Sequence, residues 1–170
     1  EADVLGRFQG AAAETGAEAI IRLTGDCPMI DPKVIDEVIS VFDGGAYDHV
    51  SNCNIRTYPD GLDVEAFTRG ALNEAAEKAD HPYLREHVTP YIRGSNPEFG
   101  HGNFALGHVV FEADLSHLRW TLDTVDDLDR IRRLITQLPR NYSWFEALSL
   151  ATRQPELLGP KSGSDAGQRI

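Results

Sequence analysis

Cysteine is scarce. Cys27 and Cys53 are the only two in 170 residues, too few for a disulfide scaffold and without the paired C-x-x-C spacing of a structural zinc site. The six histidines are scattered along the chain. Positive charge is scarce too: 16 lysines and arginines face 27 aspartates and glutamates, a net charge of −11. A field of that sign repels nucleic acid and anionic membrane alike. It leaves room for a small anionic substrate, which needs only local cations or a metal. No apolar run approaches the ~18 residues of a membrane span, and no basic-then-apolar leader opens the chain, so secretion has no support and a cytoplasmic protein is expected. The 15 glycines and 9 prolines are too few for a fibrous or low-complexity chain. G-x-G-x-x-G, G-x-x-x-x-G-K-[ST] and G-x-S-x-G are all missing, which removes the dinucleotide-fold, P-loop and hydrolase-elbow readings.

What is present is the profile of one globular domain, 41% hydrophobic and 25% charged, long enough to bury a core. Val4, Leu5, Phe8 and Ala12 share a helical face, with Gly16 as its stop. Residues 17–24 predict a strand, nearly continuous in apolar character and therefore interior. Asp31 caps a helix with Pro32 in its first turn and Val34, Ile35, Val38, Ile39 and Phe42 as its stripe. Short strands are predicted at 47–52 and 62–67, separated by the turn signal Tyr58-Pro59-Asp60-Gly61. A helix over 68–78, capped by Thr68, precedes a helical stretch over 81–92 that Pro90 interrupts. Two short strands about Gly107 and one over 118–122 follow. Thr124-Val125-Asp126-Asp127 and Ser143-Trp144-Phe145-Glu146 read as capping boxes of two further helices, the first running to Leu138. Residues 159–170 read as a polar tail, leaving 1–158 as the domain. Strands alternating with helices predict an α/β domain around a mixed, mostly parallel sheet.

In such sheets ligands gather at the carboxyl ends of strands. Two of these ends carry an aspartate: Asp26 after the strand ending at Thr24, and Asp123 after 118–122. Each alone reads equally as a cap or turn residue. Together they could hold Mg²⁺, which takes one or two carboxylates and completes its shell with water and phosphate oxygens. Arg22 lies in an apolar strand, either on a solvated edge or aimed at an anion. Arg85, Glu86 and His87 read from spacing alone as a solvated helix face, and Asp63 and Glu65 as the polar side of their strand.

The string Arg22-Leu23-Thr24-Gly25-Asp26-Cys27-Pro28-Met29-Ile30-Asp31 resembles the R-x-T-G-D-C-P-x-I-D signature of the spore-coat-polysaccharide cytidylyltransferase-like family, relatives of the CMP-Kdo and acylneuraminate cytidylyltransferases. The resemblance continues through Asp3 to Arg7, Tyr47 to Asn52, Tyr58 to Glu65, Arg85 to Tyr91 and Leu118 to Thr124, in family order. It implies a nucleotide-diphosphosugar-transferase, GT-A-like three-layer fold. The implied reaction is activation of a sugar acid by CTP, giving a CMP-sugar and pyrophosphate for surface polysaccharide biosynthesis. Asp26 and Asp123 match the family's metal-binding, catalytic aspartates, with Mg²⁺ as cofactor. Thr24, Gly25 and Arg22 fall on the nucleotide side, and Asn52, Glu65, Arg85, His87 and Arg119 on the walls of the sugar pocket. CTP and a sugar acid are the expected partners, without nucleic acid or membrane, and a homodimer is compatible with the pattern.

One departure stands out. The family's basic A-R-x-x-S-x-R-L-P-G-K loop, which cradles CTP, has no match here, and the first strand, loop and helix of the fold are missing with it. On that expectation the chain is a fragment or a remnant, inactive alone, and its status as an enzyme stays open. A glycosyltransferase-type relative or a non-catalytic sugar- or partner-binding relative on the same fold remains the alternative.

Overall fold

The computed structural model describes residues 3–157; the tail expected over 159–170 lies outside the described residues. The helices are α1 (Val4–Thr15), α2 (Pro32–Phe42), α3 (Arg69–Lys78), α4 (Pro82–His87), α5 (Pro90–Arg93), α6 (Val125–Ile135) and α7 (Trp144–Arg153), and the strands β1 (Ala19–Leu23), β2 (His49–Ser51), β3 (Val64–Thr68) and β4 (Leu106–His108). The chain divides into two compact units interleaved in sequence. Unit 1 takes the described residues up to Arg22, Glu37–Asn54 and Val64–Val109; unit 2 takes Leu23–Asp36, Ile55–Asp63 and the described residues from Val110 onward.

Unit 1 is built on a four-stranded sheet in the order β1-β3-β2-β4. β2 runs antiparallel to β3, with Val50 opposite Ala66, and parallel to β4, with Val50 opposite Gly107, so the sheet is mixed. Two sequence expectations change here. β1 is at an edge of the described sheet, not inside it, and its side chains are at most half-buried. Residues 64–67 of β3 are all buried, so Glu65, expected on a polar strand side, is inside; β3 lies between β1 and β2 and has no solvated face. The apolar stripe of α1 packs on α3 and α4, where Leu5, Phe67, Leu72, Ala75, Leu84, Val88 and Ile92 form one core. Leu5 is fully buried, which contributes about 2 kcal/mol. Asp3 caps α1 by accepting the Gly6 N–H at 2.9 Å, and Gly16 ends it in the left-handed region.

Pro90 opens α5 rather than merely breaking a helix. The join with α4 is a γ-turn: Val88 sits at φ 71°, ψ −62°, with the Thr89 N–H donating to the His87 carbonyl at 2.9 Å. That geometry is rare and strained for a β-branched residue.

In unit 2 the capping boxes form as the sequence predicts. Thr124 and Asp127 exchange bonds at the start of α6, and Ser143 and Glu146 at the start of α7. α6 ends at Ile135, short of Leu138. Trp144 packs among Tyr58, Phe111 and Phe145, with ring centroids 5.6, 5.1 and 4.0 Å away. Residues 118–122 form no strand of their own. They make one parallel bridge, Arg119 with Asp60.

Candidate active site

In unit 2, the chain leaving β1 turns sharply: the Thr24 carbonyl accepts the Cys27 N–H at 3.2 Å, and the Thr24 hydroxyl lies 3.0 Å from Cys27 Sγ. The turn projects Asp26, whose carboxylate meets Cys27 Sγ at 3.8 Å and forms no ion pair among the described residues. Burial pushes the Cys27 thiol up to about 11; the Thr24 hydrogen bond pulls it down and the Asp26 charge pushes it further up. The thiol is therefore neutral and no nucleophile.

Asp123 is brought to this turn by backbone bonds. The Trp120 N–H donates to the Asp60 carbonyl at 2.7 Å, and two residues on, the Leu122 N–H donates to the Asp26 carbonyl at 2.8 Å. Asp123 is the next residue. Its carboxylate pairs with Arg119 Nη2, while Arg119 Nη1 reaches Asp127 at 2.9 Å. Asp127 is buried and organises the loop. It accepts the N–H groups of Asp123 and Thr124 at 3.0 and 2.9 Å and the Arg130 guanidinium at 2.7 Å. Burial raises the Asp127 carboxyl, but the Arg130 bond and these N–H donors outweigh it and hold it at about 2. Two arginines thus balance Asp123 and Asp127, and Asp26 is the carboxylate left uncompensated. Among the described residues no group of three or more His, Cys, Asp or Glu is gathered for a metal. Asp26 and Asp123 offer carboxylate oxygens, the donor type that Mg²⁺ takes while keeping most of its shell as water.

Unit 1 holds a second charged cluster. Glu65, 2% exposed, accepts Arg22 Nη1 at 2.6 Å on one oxygen and His49 Nε2 at 3.0 Å on the other, with Arg93 Nε 3.7 Å from the latter. Burial pushes this carboxyl up. The His49 hydrogen bond and the charges of Arg93, His49 and Arg22 reverse that and bring it to about 2. His49 is fully buried and stacks on Phe67 at 6.2 Å.

The remaining expected residues are placed as follows. Asn52 is buried and its Oδ1 accepts the Val64 N–H at 2.9 Å, closing the β2–β3 pair beyond Glu65. Arg85 donates to the Ala76 and Ala79 carbonyls at 3.1 and 3.0 Å and pairs with Asp3 at 2.8 Å, so its guanidinium ties α4 to the end of α3 and the start of α1. His87 is exposed against the Tyr83 ring at 4.3 Å. Gly25 is exposed, with no positive φ, and a Cβ there would meet nothing within 4 Å. The structure therefore groups Arg22 with Glu65, and Thr24, Gly25 and Asp26 with Arg119 and Asp123, but gathers neither Arg85 nor His87 to either group. His49 and Arg93, which complete the Glu65 cluster, and Asp127, which organises the other, were not singled out as site residues by the sequence. Only the D-T-x-x-D spacing signalled one of them, as a helix cap.

A family model described as cytidylyltransferase matches residues 1–148. An uncharacterised protein of Methanocaldococcus jannaschii is 33% identical over 156 residues, which are 91% of this chain and 58% of that protein. The spore coat polysaccharide biosynthesis protein SpsF of Bacillus subtilis is 31% identical over 161 residues, 92% of this chain and 64% of SpsF. The solved structure of a cytidylyltransferase from Leptospira borgpetersenii superposes with a TM-score of 0.81 at 30% identity, covering 92% of this chain and 65% of that one. The chain thus spans about three-fifths of the length of the curated relatives it matches.

Proposed function

The chain belongs to the cytidylyltransferase family, and from that premise we propose that it serves the transfer of a cytidylyl group from CTP to a sugar acid, for surface polysaccharide biosynthesis. The observation that carries the reading is the Leu122-to-Asp26 backbone bond at 2.8 Å. It brings together, in one unit, the backbones of the two sequence blocks that carry Asp26 and Asp123, which supports a shared role in a metal-assisted phosphoryl transfer.

In the proposed reaction the anomeric hydroxyl of the sugar acid attacks the α-phosphorus of CTP. The new P–O bond forms as the bond to the β-phosphate oxygen breaks, pyrophosphate leaves, and the hydroxyl proton passes to water. Asp26 and Asp123 would hold Mg²⁺, which supplies positive charge to the phosphate oxygens when bound. Arg119 forks between the Asp123 and Asp127 carboxylates, so a bound cation would have to loosen its hold on Asp123. Asp127, ionised throughout the neutral range, keeps that fork in place. Thr24 braces the turn that carries Asp26, and at Gly25 the missing side chain leaves the backbone open to a nucleotide. Arg85 and His87 have a structural explanation in α4 and take no part in this reading.

The test incubates the complete product of the gene encoding these residues with CTP, Mg²⁺ and a panel of sugar acids, reading pyrophosphate and CMP-sugar. Release of both, lost in Asp26→Asn, is the expected result. Release of CMP or UDP from a nucleotide sugar instead would indicate a glycosyltransferase on the same fold and overturn the reading.

A further inference from the structure

Beside the first turn of α2, unit 2 holds a cavity of about 580 Å³ whose walls include Asp31, Lys33, Arg140, Asn141, Tyr142 and Glu146. It shares no residue with the Asp26 and Asp123 group. Its carboxylates are committed. Both oxygens of the buried Asp31 accept backbone N–H groups, of Lys33 at 2.8 Å and of Trp144 at 2.7 Å. Glu146 Oε2 accepts the Ser143 N–H at 2.8 Å and the Ser143 hydroxyl at 3.0 Å. Those bonds, with the Lys33 charge behind them, hold the Glu146 carboxyl below its usual value. The backbone at the start of α2 is spent as well, because the Val34 and Ile35 N–H groups both donate to the Asp31 carbonyl. The side-chain donors are not. Among the described residues the Lys33 ammonium and the Arg140 guanidinium make no ion pair, and no hydrogen bond engages them, the Asn141 amide or the Tyr142 hydroxyl. Tyr142 is half-buried; burial, and then the Asp31 charge, push its phenol up, so the hydroxyl stays a donor.

We infer that this cavity is a second binding site, for the phosphate monoester of a sugar-sized alcohol, with Lys33, Arg140 and Tyr142 as the phosphate ligands. Two free cations match a dianion, whereas a carboxylate carries one charge. A phosphate monoester presents three outer oxygens, enough to accept the ammonium, the guanidinium fork and the phenol together. Formally the two cations face two carboxylates. Asp31 and Glu146, however, lie on backbone N–H groups at helix starts, whose partial positive charge offsets theirs. What remains for a ligand is positive, in a chain of net charge −11. The volume is in the range of small-molecule pockets and exceeds what a bare phosphate fills. Asn141, with donors and an acceptor in one amide, is left for the hydroxyls of the alcohol. Occupancy would tie the start of α2 to the segment before α7. The site needs no metal and neither aspartate, so it does not depend on the proposed transfer.

The test follows the backbone amide resonances of the ¹⁵N-labelled complete gene product on addition of glucose 6-phosphate, glucose, inorganic phosphate and sodium acetate. Glucose 6-phosphate should shift the amides of Lys33 and of residues 140–143 saturably, and inorganic phosphate should shift the same amides but bind more weakly. Glucose and acetate should shift none of them. Lys33→Gln and Arg140→Gln should each weaken the ester about tenfold, as loss of a charge-assisted bond does, and Tyr142→Phe by a smaller factor. All three side chains lie at the surface or half-buried, so thermal melts of the variants should match the parent. Affinity should rise from about pH 5 to about pH 7 as the monoester takes its second charge. Asp26→Asn should leave the ester affinity unchanged. Absence of a saturable shift, equal response to glucose, acetate binding as tightly as the ester, or undiminished affinity in both cation variants would overturn the assignment. So would shifts confined to the surroundings of Asp26 and Asp123. Ester binding without pyrophosphate release from CTP counts against nucleotidyl transfer alone, and transfer without ester binding removes this site alone.

Discussion

Trp144 donates its backbone N–H to Oδ2 of Asp31 at 2.7 Å, across 113 residues of sequence. Oδ1 of the same carboxylate accepts the Lys33 N–H at 2.8 Å, so one buried side chain caps the first turns of both α2 and α7. The sequence motif ending in Ile30-Asp31 thus has a structural purpose beyond the turn at Asp26. Asp31→Ala leaves two first-turn donors without a side-chain partner and should cost about 2–4 kcal/mol in denaturant unfolding. Asp31→Asn keeps one acceptor oxygen and should cost less. An unchanged unfolding midpoint in the alanine variant would contradict this role.

Two glycines near the aspartate pair should answer oppositely to the same substitution. Gly61 adopts φ 108°, and a Cβ there would stand 2.7 Å from the Trp120 carbonyl carbon. Gly61→Ala should destabilise by about 3 kcal/mol or more, since backbone cannot yield cheaply. Gly25 faces open space, so Gly25→Ala should shift stability by less than about 0.5 kcal/mol. If the Gly25 backbone lies against the nucleotide, the same variant should still raise the KM for CTP. Thermal melts paired with CTP kinetics separate the two effects.

Arg85 tests where the family pattern and the fold point in different directions. Its guanidinium holds the last carbonyls of α3 and reaches Asp3 at the start of α1. Arg85→Ala should therefore lower stability by about 1–2 kcal/mol while the KM for the sugar acid stays near the parent value. A selective rise in that KM would return Arg85 to the sugar pocket.

The elements most legible in the sequence are those written in local chemistry. Thr68, Thr124, Ser143 and Asp31 announce their helices because a cap needs only its own first turn. Edge and interior were not legible in this way. The run Ala19 to Leu23 is apolar enough for a central strand, yet its rank in the sheet depends on β3, more than 40 residues away in sequence. Glu65 alternates with apolar neighbours as a solvated residue would, and only the approach of Arg22, His49 and Arg93 shows why it is buried. Asp26 and Asp123 were legible because each follows an extended segment. Their adjacency rests on the Leu122 N–H, which carries no side-chain signature. The γ-turn at Val88 contradicts local preference outright, so no propensity argument could reach it.

The Glu65 cluster sets an acid limit. Its carboxyl falls from the ordinary 4.5 to about 2 in the folded chain, because His49 and the two arginines outweigh the burial that would raise it. A depressed folded-state value means that the stabilisation is complete above about pH 4.5 and is lost as pH falls toward about 2. The amount at stake is about 3 kcal/mol. Unfolding free energy followed from pH 6 to pH 2.5 should show this loss, and Glu65→Gln should flatten that part of the profile. A wild-type profile level down to pH 3 would show that Glu65 is not held ionised by its neighbours.

Arg119 and a bound cation compete for the same carboxylate. Asp26 is uncompensated, but the Asp123 carboxylate is paired with Arg119 Nη2, so a metal shared by the two aspartates has to loosen that pair. Removing the guanidinium should strengthen the metal site. Asp127 keeps its Arg130 partner and its two N–H donors, so the loop should survive the change. Arg119→Gln is therefore expected to tighten Mn²⁺ binding, with Mn²⁺ as the paramagnetic probe for Mg²⁺, by about fivefold, the effect of losing a near-surface charge of about 1 kcal/mol. Asp26→Asn and Asp123→Asn should each weaken it at least about tenfold if the proposed site holds, since each would remove one of its two anionic ligands. Far-UV dichroism of all three variants should match the parent, and water-proton relaxation reads the affinity. Weaker Mn²⁺ binding in Arg119→Gln, with the fold intact, would mean that the arginine presents Asp123 to the metal rather than withholding it. Unaltered binding in both aspartate variants would place the cation elsewhere.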